Sequence, residues 1–234
     1  ESYGITILPN LVLDKNCGKV NVQQNIGFLR IPVPMDYPFL PIIKKQNFNN
    51  DISIVNNLEA LRLMFPSEIA LDNNKESESL SIIPLFNSSN KSTTMEEFFQ
   101  LSPDPQQNPA FNQLNGPGKL LGALIEKNFS DIEKMGRIII VSDSKFITDD
   151  GGGASPENQI FIMNAADYLL GDKELIALRS NQVTSRPLQD IEDNTKTRWK
   201  WINILLPSLL IISFGFVRLR SEGNRSKILE QIYD

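Results

Sequence analysis

The stretch from Trp199 to Arg220, WKWINILLPSLLIISFGFVRLR, constrains this chain more than any other. From Trp201 to Val217 it carries no charged residue, and its polar content is Asn203, Ser208 and Ser213. A bilayer core asks for roughly 20 mostly apolar residues in a helix, with a lower limit near 17. Arg198 and Lys200 stand before the run and Arg218 and Arg220 close it, where long cationic side chains reach headgroups. Trp199 and Trp201 fall where an interfacial aromatic belt would lie. Pro207 is tolerable, because membrane helices accept proline more readily than soluble ones do. A soluble helix of this length normally shows a polar stripe, and this one shows none. The expectation is a membrane-spanning helix over 199–220, entered by a polar linker over 189–198. A short tail over 221–234 follows, with Ile228, Leu229 and Ile232 spaced as one helical face. The competing reading is a core helix of a soluble protein.

The remaining residues, 1–188, suffice for one ordinary domain. Net charge is -5, and from Arg218 to the end there are four basic residues against three acidic ones, so the acid lies in the domain. An acidic domain is a poor partner for nucleic acid, which selects basic patches. The single cysteine, Cys17, excludes an intrachain disulfide. The chain contains no histidine, which removes Ser-His-Asp and Cys-His catalysis and the usual ligands of catalytic zinc. It begins at Glu1 rather than Met, so a fragment or processed product is expected, with any leading anchor lying before it.

Taken in order, Tyr3–Asp14 and Lys19–Arg30 read as strands. Pro32, Pro34, Pro38 and Pro41 argue against a helix or a central strand, so an ordered extended loop is expected there. Residues 47–57 are Asn-rich and read as a surface connection. Short strands follow at Leu61–Phe65 and Ile69–Leu71, then Leu80–Phe86, placed on a sheet edge by Pro84. Residues 87–117 are rich in Ser, Asn, Gln and Pro. They read as a solvated excursion with a short helix at Met95–Leu101. Lys119–Ile125 is apolar and ambiguous between helix and strand. Arg137–Val141 (RIIIV) reads as a strand buried on both faces of a sheet. Pro156 opens a helix that runs to Leu170 and stops at Gly171, and its nearly all-round apolarity predicts burial. Glu174–Leu178 reads as a following strand. Strand, helix, strand is a βαβ unit, which implies an α/β class with a parallel sheet.

The candidate site follows from that unit. Asp143 stands just past the 137–141 strand, between Ser142 and Ser144, and strand carboxyl ends are where open α/β sheets bind ligands. Asp149 and Asp150 lie close in sequence, so hard oxygen ligands for a divalent ion are conceivable. Against this, such residues commonly cap and turn a loop. Gly151-Gly152-Gly153 lacks the GxxxxGK[ST] frame of a phosphate loop and sits among acidic residues, so a flexible hinge is the better expectation. Cys17 has no activating partner in view. No cofactor is implied.

Residues 137–146 (RIIIVSDSKF), 158–171 (NQIFIMNAADYLLG), 175–179 (LIALR) and 186–188 (RPL) resemble the Gldg family, auxiliary exported subunits of gliding-motility-type ABC transporters. The early Tyr3-Gly4-Ile5, the Ile31-Pro32-Val33-Pro34 segment and Asn57–Leu61 are similar to it as well. The resemblance implies a flavodoxin-like, glutamine-amidotransferase-like sandwich without that fold's Cys-His machinery, here missing its first βαβ units. It further implies ABC permease and ATPase subunits as partners, besides the lipid bilayer. The expected protein is a non-enzymatic auxiliary subunit in the inner (plasma) membrane, with its domain outside the cytoplasm. A membrane-anchored hydrolase or amidotransferase relative, with carboxylate chemistry near Asp143, is the competing class.

Overall fold

Apolar side chains occupy both faces of the strand Leu120–Phe129, and much of the larger unit is arranged about it. The computed structural model describes residues 3–26, 29–72, 80–129, 134–171 and 193–233. Two compact units divide at Arg186/Pro187. In the first, the strands are β1 (Ile5–Ile7), β2 (Asn10–Asp14), β3 (Cys17–Ile26), β4 (Leu29–Lys44) and β5 (Ala60–Arg62). They continue with β6 (Ile69–Leu71), β7 (Leu80–Asn87), β8 (Ser92–Glu96), β9 (Leu120–Phe129) and β10 (Lys134–Val141). Helices α1 (Ser53–Asn56) and α2 (Pro156–Leu170) complete the unit.

Two three-stranded sheets have the orders β10-β9-β7 and β3-β4-β5, and two strand pairs, β1-β6 and β2-β8, accompany them. Every pairing among the described residues is antiparallel. The expected parallel partner over 174–178 lies outside the described residues. The run Arg137–Val141 therefore corrects the reading of a central parallel strand. It belongs to β10, which hydrogen-bonds antiparallel to β9 and stands at the end of its sheet's order. Ile139 and Val141 reach one core cluster and Ile140 another, while Ile138 remains exposed. The strand with fully covered faces is its neighbour β9, where Leu121 and Leu124 serve one cluster and Ala123 and Ile125 the other. The proline segment also departs from expectation, since residues 29–44 form a sixteen-residue strand. Pro32 and Pro34 stand two apart in register with β3, so their missing N–H groups fall at positions that donate nothing to that partner. Period-two spacing lets a strand carry prolines that a helix or an irregular spacing would not.

Helix α2 has the expected bounds and stops at Gly171, whose φ of 92° is the left-handed cap that favours glycine. Its burial differs. Phe161 and Tyr168 go inward together with Asn158 and Asn164, whereas Met163, Leu169 and Leu170 are exposed. The buried asparagines satisfy strand and turn backbone. Asn158 accepts the Arg62 N–H at 3.0 Å and donates to the Arg62 carbonyl at 2.7 Å, standing in for a neighbouring strand along β5. Asn164 donates to the Ile54 carbonyl of α1 at 3.2 Å. At its other end, Arg137 lies over the Tyr168 ring and donates to Glu126, joining α2 to β9 and β10. Residues 87–117 are less solvated than their composition predicts. Ser88, Ser92 and Asn108 are buried, and the helix expected at Met95–Leu101 is not there: Ser92–Glu96 is strand β8, paired with β2, and a single helical turn lies instead at Pro109–Asn112.

The second unit contains one helix, α3, Asp193–Tyr233. Its apolar window, within Asn194–Ser221, is long and apolar enough to cross a membrane, and none of that window is buried. Side chains such as Ile211, Phe214 and Phe216, each 70 % exposed or more, would be costly to leave in water as a continuous surface. The helix runs on through much of the predicted linker and tail.

Candidate functional site

The turn after β10 brings Ser142 and Asp143 into the interior but leaves Ser144 on the surface. Ser142 donates from its N–H and its hydroxyl to the Leu121 carbonyl, at 3.0 and 3.1 Å, and accepts the Ser67 N–H at 3.0 Å. Asp143 accepts the Met64 N–H on Oδ2 at 2.8 Å and the Lys145 N–H on Oδ1 at 2.7 Å. Both carboxylate oxygens thus already serve backbone donors, one local and one across the fold. Burial raises the Asp143 pKa above the ordinary carboxylate value, opposed by those two N–H groups. The arrangement ties the end of β10 to the connection between β5 and β6. Asp143→Ala is expected to cost about 2–3 kcal/mol by leaving Met64 and Lys145 without an acceptor, and Asp143→Asn about 1 kcal/mol or less. Denaturant unfolding in detergent measures both. Stabilisation by Mg²⁺ or Ca²⁺ that Asp143→Asn abolishes would instead make this turn a cation site.

The acidic residues that follow do not converge on it. Lys145 pairs with Asp150 at the surface, and no group of three or more Asp, Glu, His or Cys positioned for a metal occurs among the described residues. The glycine triplet is not the hinge its composition predicts. Gly152 and Gly153 are buried in a tight turn, Gly152–Ala154. A Cβ on Gly151 would lie 2.2 Å from the Lys145 carbonyl oxygen, and one on Gly152 would lie 2.4 Å from the Asn158 amide nitrogen. The glycines are there because the 145–155 loop folds back on itself and on α2. Cys17 is half-buried, and its thiol is pushed up to about 11, first by burial and then by the Asp36 charge. That is the opposite of nucleophile activation. The segments 175–179 and 186–188 that carry part of the resemblance lie outside the described residues.

A second concavity received no attention in the sequence. Gln46, Asn47 and Asn49, just after β4, face Asn87, Ser88 and Asn90, at and after the end of β7, across an open cleft of about 480 Å³. The loop after β7 is fixed by hydrogen bonds beneath it. Ser89 donates its N–H and hydroxyl to Asp14, Ser88 donates to Ser92, and the Lys119 N–H donates to the Ser88 hydroxyl. The sequence places one flank in a surface connection over 47–57 and the other in a solvated excursion over 87–117. Their only signal was a repeated abundance of amides, in segments some forty residues apart that β7 and the Phe48–Phe86 bridge bring together.

A family model described as an ABC-type uncharacterized transport system, auxiliary in type, matches residues 1–174. The chain belongs to that family. The match covers all ten strands, α1 and α2, and ends before α3. Comparison with curated proteins and with solved structures returned no match. The auxiliary family therefore assigns the folded unit to an ABC-type transport system, and α3 is consistent with residence in a membrane.

Proposed function

We propose that this chain is a membrane-anchored, non-enzymatic binding subunit of a gliding-motility-type ABC transporter, acting beside a permease and an ATPase. The family match over residues 1–174 is the observation that carries this reading. Two features support the non-enzymatic part. The chain has no histidine, and the oxygens of Asp143, the best-placed carboxylate, are occupied by backbone donors. The flavodoxin-like sandwich belongs to the same proposal. Its parallel strands would have to come from outside the described residues, because the described pairings are antiparallel. In this reading residues 1–188 form the binding domain, 189–198 lead to the span, 199–220 cross the bilayer and 221–234 form the tail. Purification of the full chain from gently solubilised membranes is expected to bring down an ATPase with Walker motifs and a multi-span permease. Recovery of the chain without either would remove the proposal.

Orientation is a further expected result. Four basic residues follow the uncharged run 201–217 (Arg218, Arg220, Arg225 and Lys227) against three before it (Lys196, Arg198 and Lys200), which favours a cytoplasmic tail in the inner membrane. In a Cys17→Ser background, a cysteine at position 226 is expected to be shielded from an impermeant thiol reagent in intact cells. Ser155 is buried and would report poorly, so the exposed Ser144 is the domain site, and Ser144→Cys is expected to label once the outer wall is permeabilised. The reverse pattern would place the domain in the cytoplasm.

A further inference from the structure

The geometry points to the cleft between the 46–49 and 87–90 segments as a binding site for a neutral carbohydrate. Its volume, about 480 Å³, lies in the range of small-molecule sites. Its chemistry is one-sided. The polar groups in its wall are side-chain amides and a serine, with no Lys, Arg, Asp or Glu among them, in a chain of which 22 % is charged. Amides offer donor and acceptor together, the complement of a hydroxyl, and an uncharged wall neither attracts nor repels an ion. Exposed Pro84 supplies the apolar part, suited to the C–H face of a sugar ring, and Phe48 is buried in the core behind the wall.

Two further observations make this a built surface rather than a chance dent. The first is rigidity. The carbonyl of Ser88 accepts the Asn47 amide at 2.8 Å, and Ser88 and Ser89 are anchored below, so Asn87 and Asn90 project from a fixed loop. A site that is already ordered loses less conformational entropy on binding. The second is an orphan acceptor. Asn47 Oδ1 is buried and has no hydrogen-bond partner among the described residues. Turning the amide over would set its oxygen against the Ser88 carbonyl, so the orphan is an acceptor, and since it lies beneath the surface a hydroxyl in the cleft reaches it only when a neighbouring side chain shifts. Gly118 keeps the floor open, since a Cβ there would lie 2.7 Å from the Ser88 carbonyl oxygen and 3.7 Å from Asn87 Cβ.

The test uses the full chain in lipid nanodiscs, which keeps sugar-headed detergents out of the cleft. Cellobiose, maltose and chitobiose serve as neutral probes and digalacturonic acid as a charged one, titrated calorimetrically. At least one neutral disaccharide is expected to bind, in preference to the charged one. Asn87→Ala combined with Asn90→Ala is expected to weaken binding roughly tenfold, the loss of one or two hydrogen bonds. Both residues are exposed, so the melting temperature should not move. Gln46→Ala is the independent second variant, with the same expected direction, and Gln106→Ala, an exposed amide elsewhere, should leave binding intact. The proposal is overturned if no neutral probe binds, if the charged probe binds more tightly, or if the cleft variants bind as the parent does. None of these outcomes depends on association with a permease or an ATPase.

Discussion

Asp14→Ala is expected to cost on the order of 3–5 kcal/mol, among the largest effects available to a single polar substitution here. Asp14 is fully buried at the end of β2. Its carboxyl accepts the Ser89 N–H at 2.5 Å, the Ser89 hydroxyl at 2.6 Å and the Asn16 N–H at 2.8 Å. Alanine leaves these donors without an acceptor, and the Ser89 N–H has no route to water. The same change frees the loop carrying Asn87 and Asn90, so any binding in the cleft should weaken with stability. A pH signature distinguishes this residue from an ordinary salt-bridged aspartate. Burial, the largest influence, raises the Asp14 pKa above its usual 3.8, against the opposing hydrogen bonds from Ser89 and Asn16. A carboxyl whose folded pKa exceeds its unfolded one binds protons more readily when folded. Its contribution is complete below the unfolded pKa and is lost as pH rises through the folded one. The stability of the parent minus that of Asp14→Asn should therefore grow as pH falls from neutral towards the unfolded value. Unfolding free energies across that window measure it, and the opposite slope would mean that the donors, not burial, dominate.

Gly122→Val is the second large effect. A Cβ on Gly122 would lie 2.3 Å from Phe86 Cε1 and 2.4 Å from its Cζ, so the ring lies directly over the glycine. Phe86 cannot simply move. It is 1 % exposed, meets Phe48 and Phe161 edge-on with centroids at 6.4 and 5.9 Å, and sits at a register irregularity in β7. Phe161 belongs to α2, so displacement of the ring also loosens the helix. Overpacking of this kind costs about 2–4 kcal/mol. Gly122→Ala should show the same strain with less bulk, and Phe86→Leu should relieve it. The double variant is expected to be more stable than the sum of the two single changes by about 1 kcal/mol or more. Additive losses would mean that the ring and the glycine are not in conflict.

Local signals in the sequence were good guides where one residue governs one event. Pro156 and Gly171 bounded α2, Pro84 placed β7 on a sheet edge, and the uncharged run found α3. They failed where the deciding partner is remote. Ile138–Val141 looks central because it is apolar throughout, yet the strand that fills both faces is β9, whose glycine and alanine dilute the pattern. Apolarity around α2 predicted an enclosed helix. Asn158 and Asn164 instead took the inward positions, because β5 and α1 present backbone groups there. The turn at Asp143 was legible as a turn, but its bond to Met64 was not. The cleft was invisible because neither of its Asn-rich flanks means anything until β7 joins them.

In the proposed topology, the length of α3 exceeds what a bilayer needs. Its 41 residues extend roughly 60 Å, about twice the thickness of a hydrocarbon core. Pro207 falls midway along the stretch Asn194–Ser221. Lacking an N–H, it leaves the Asn203 carbonyl without its helical partner, and the Ser208 hydroxyl takes the Ile204 carbonyl at 3.2 Å beside it. Bending stiffness is lowest at that point, while the covalent backbone still carries torsion past it. A sideways displacement at one end of such a helix is taken up at that joint rather than carried whole to the other end.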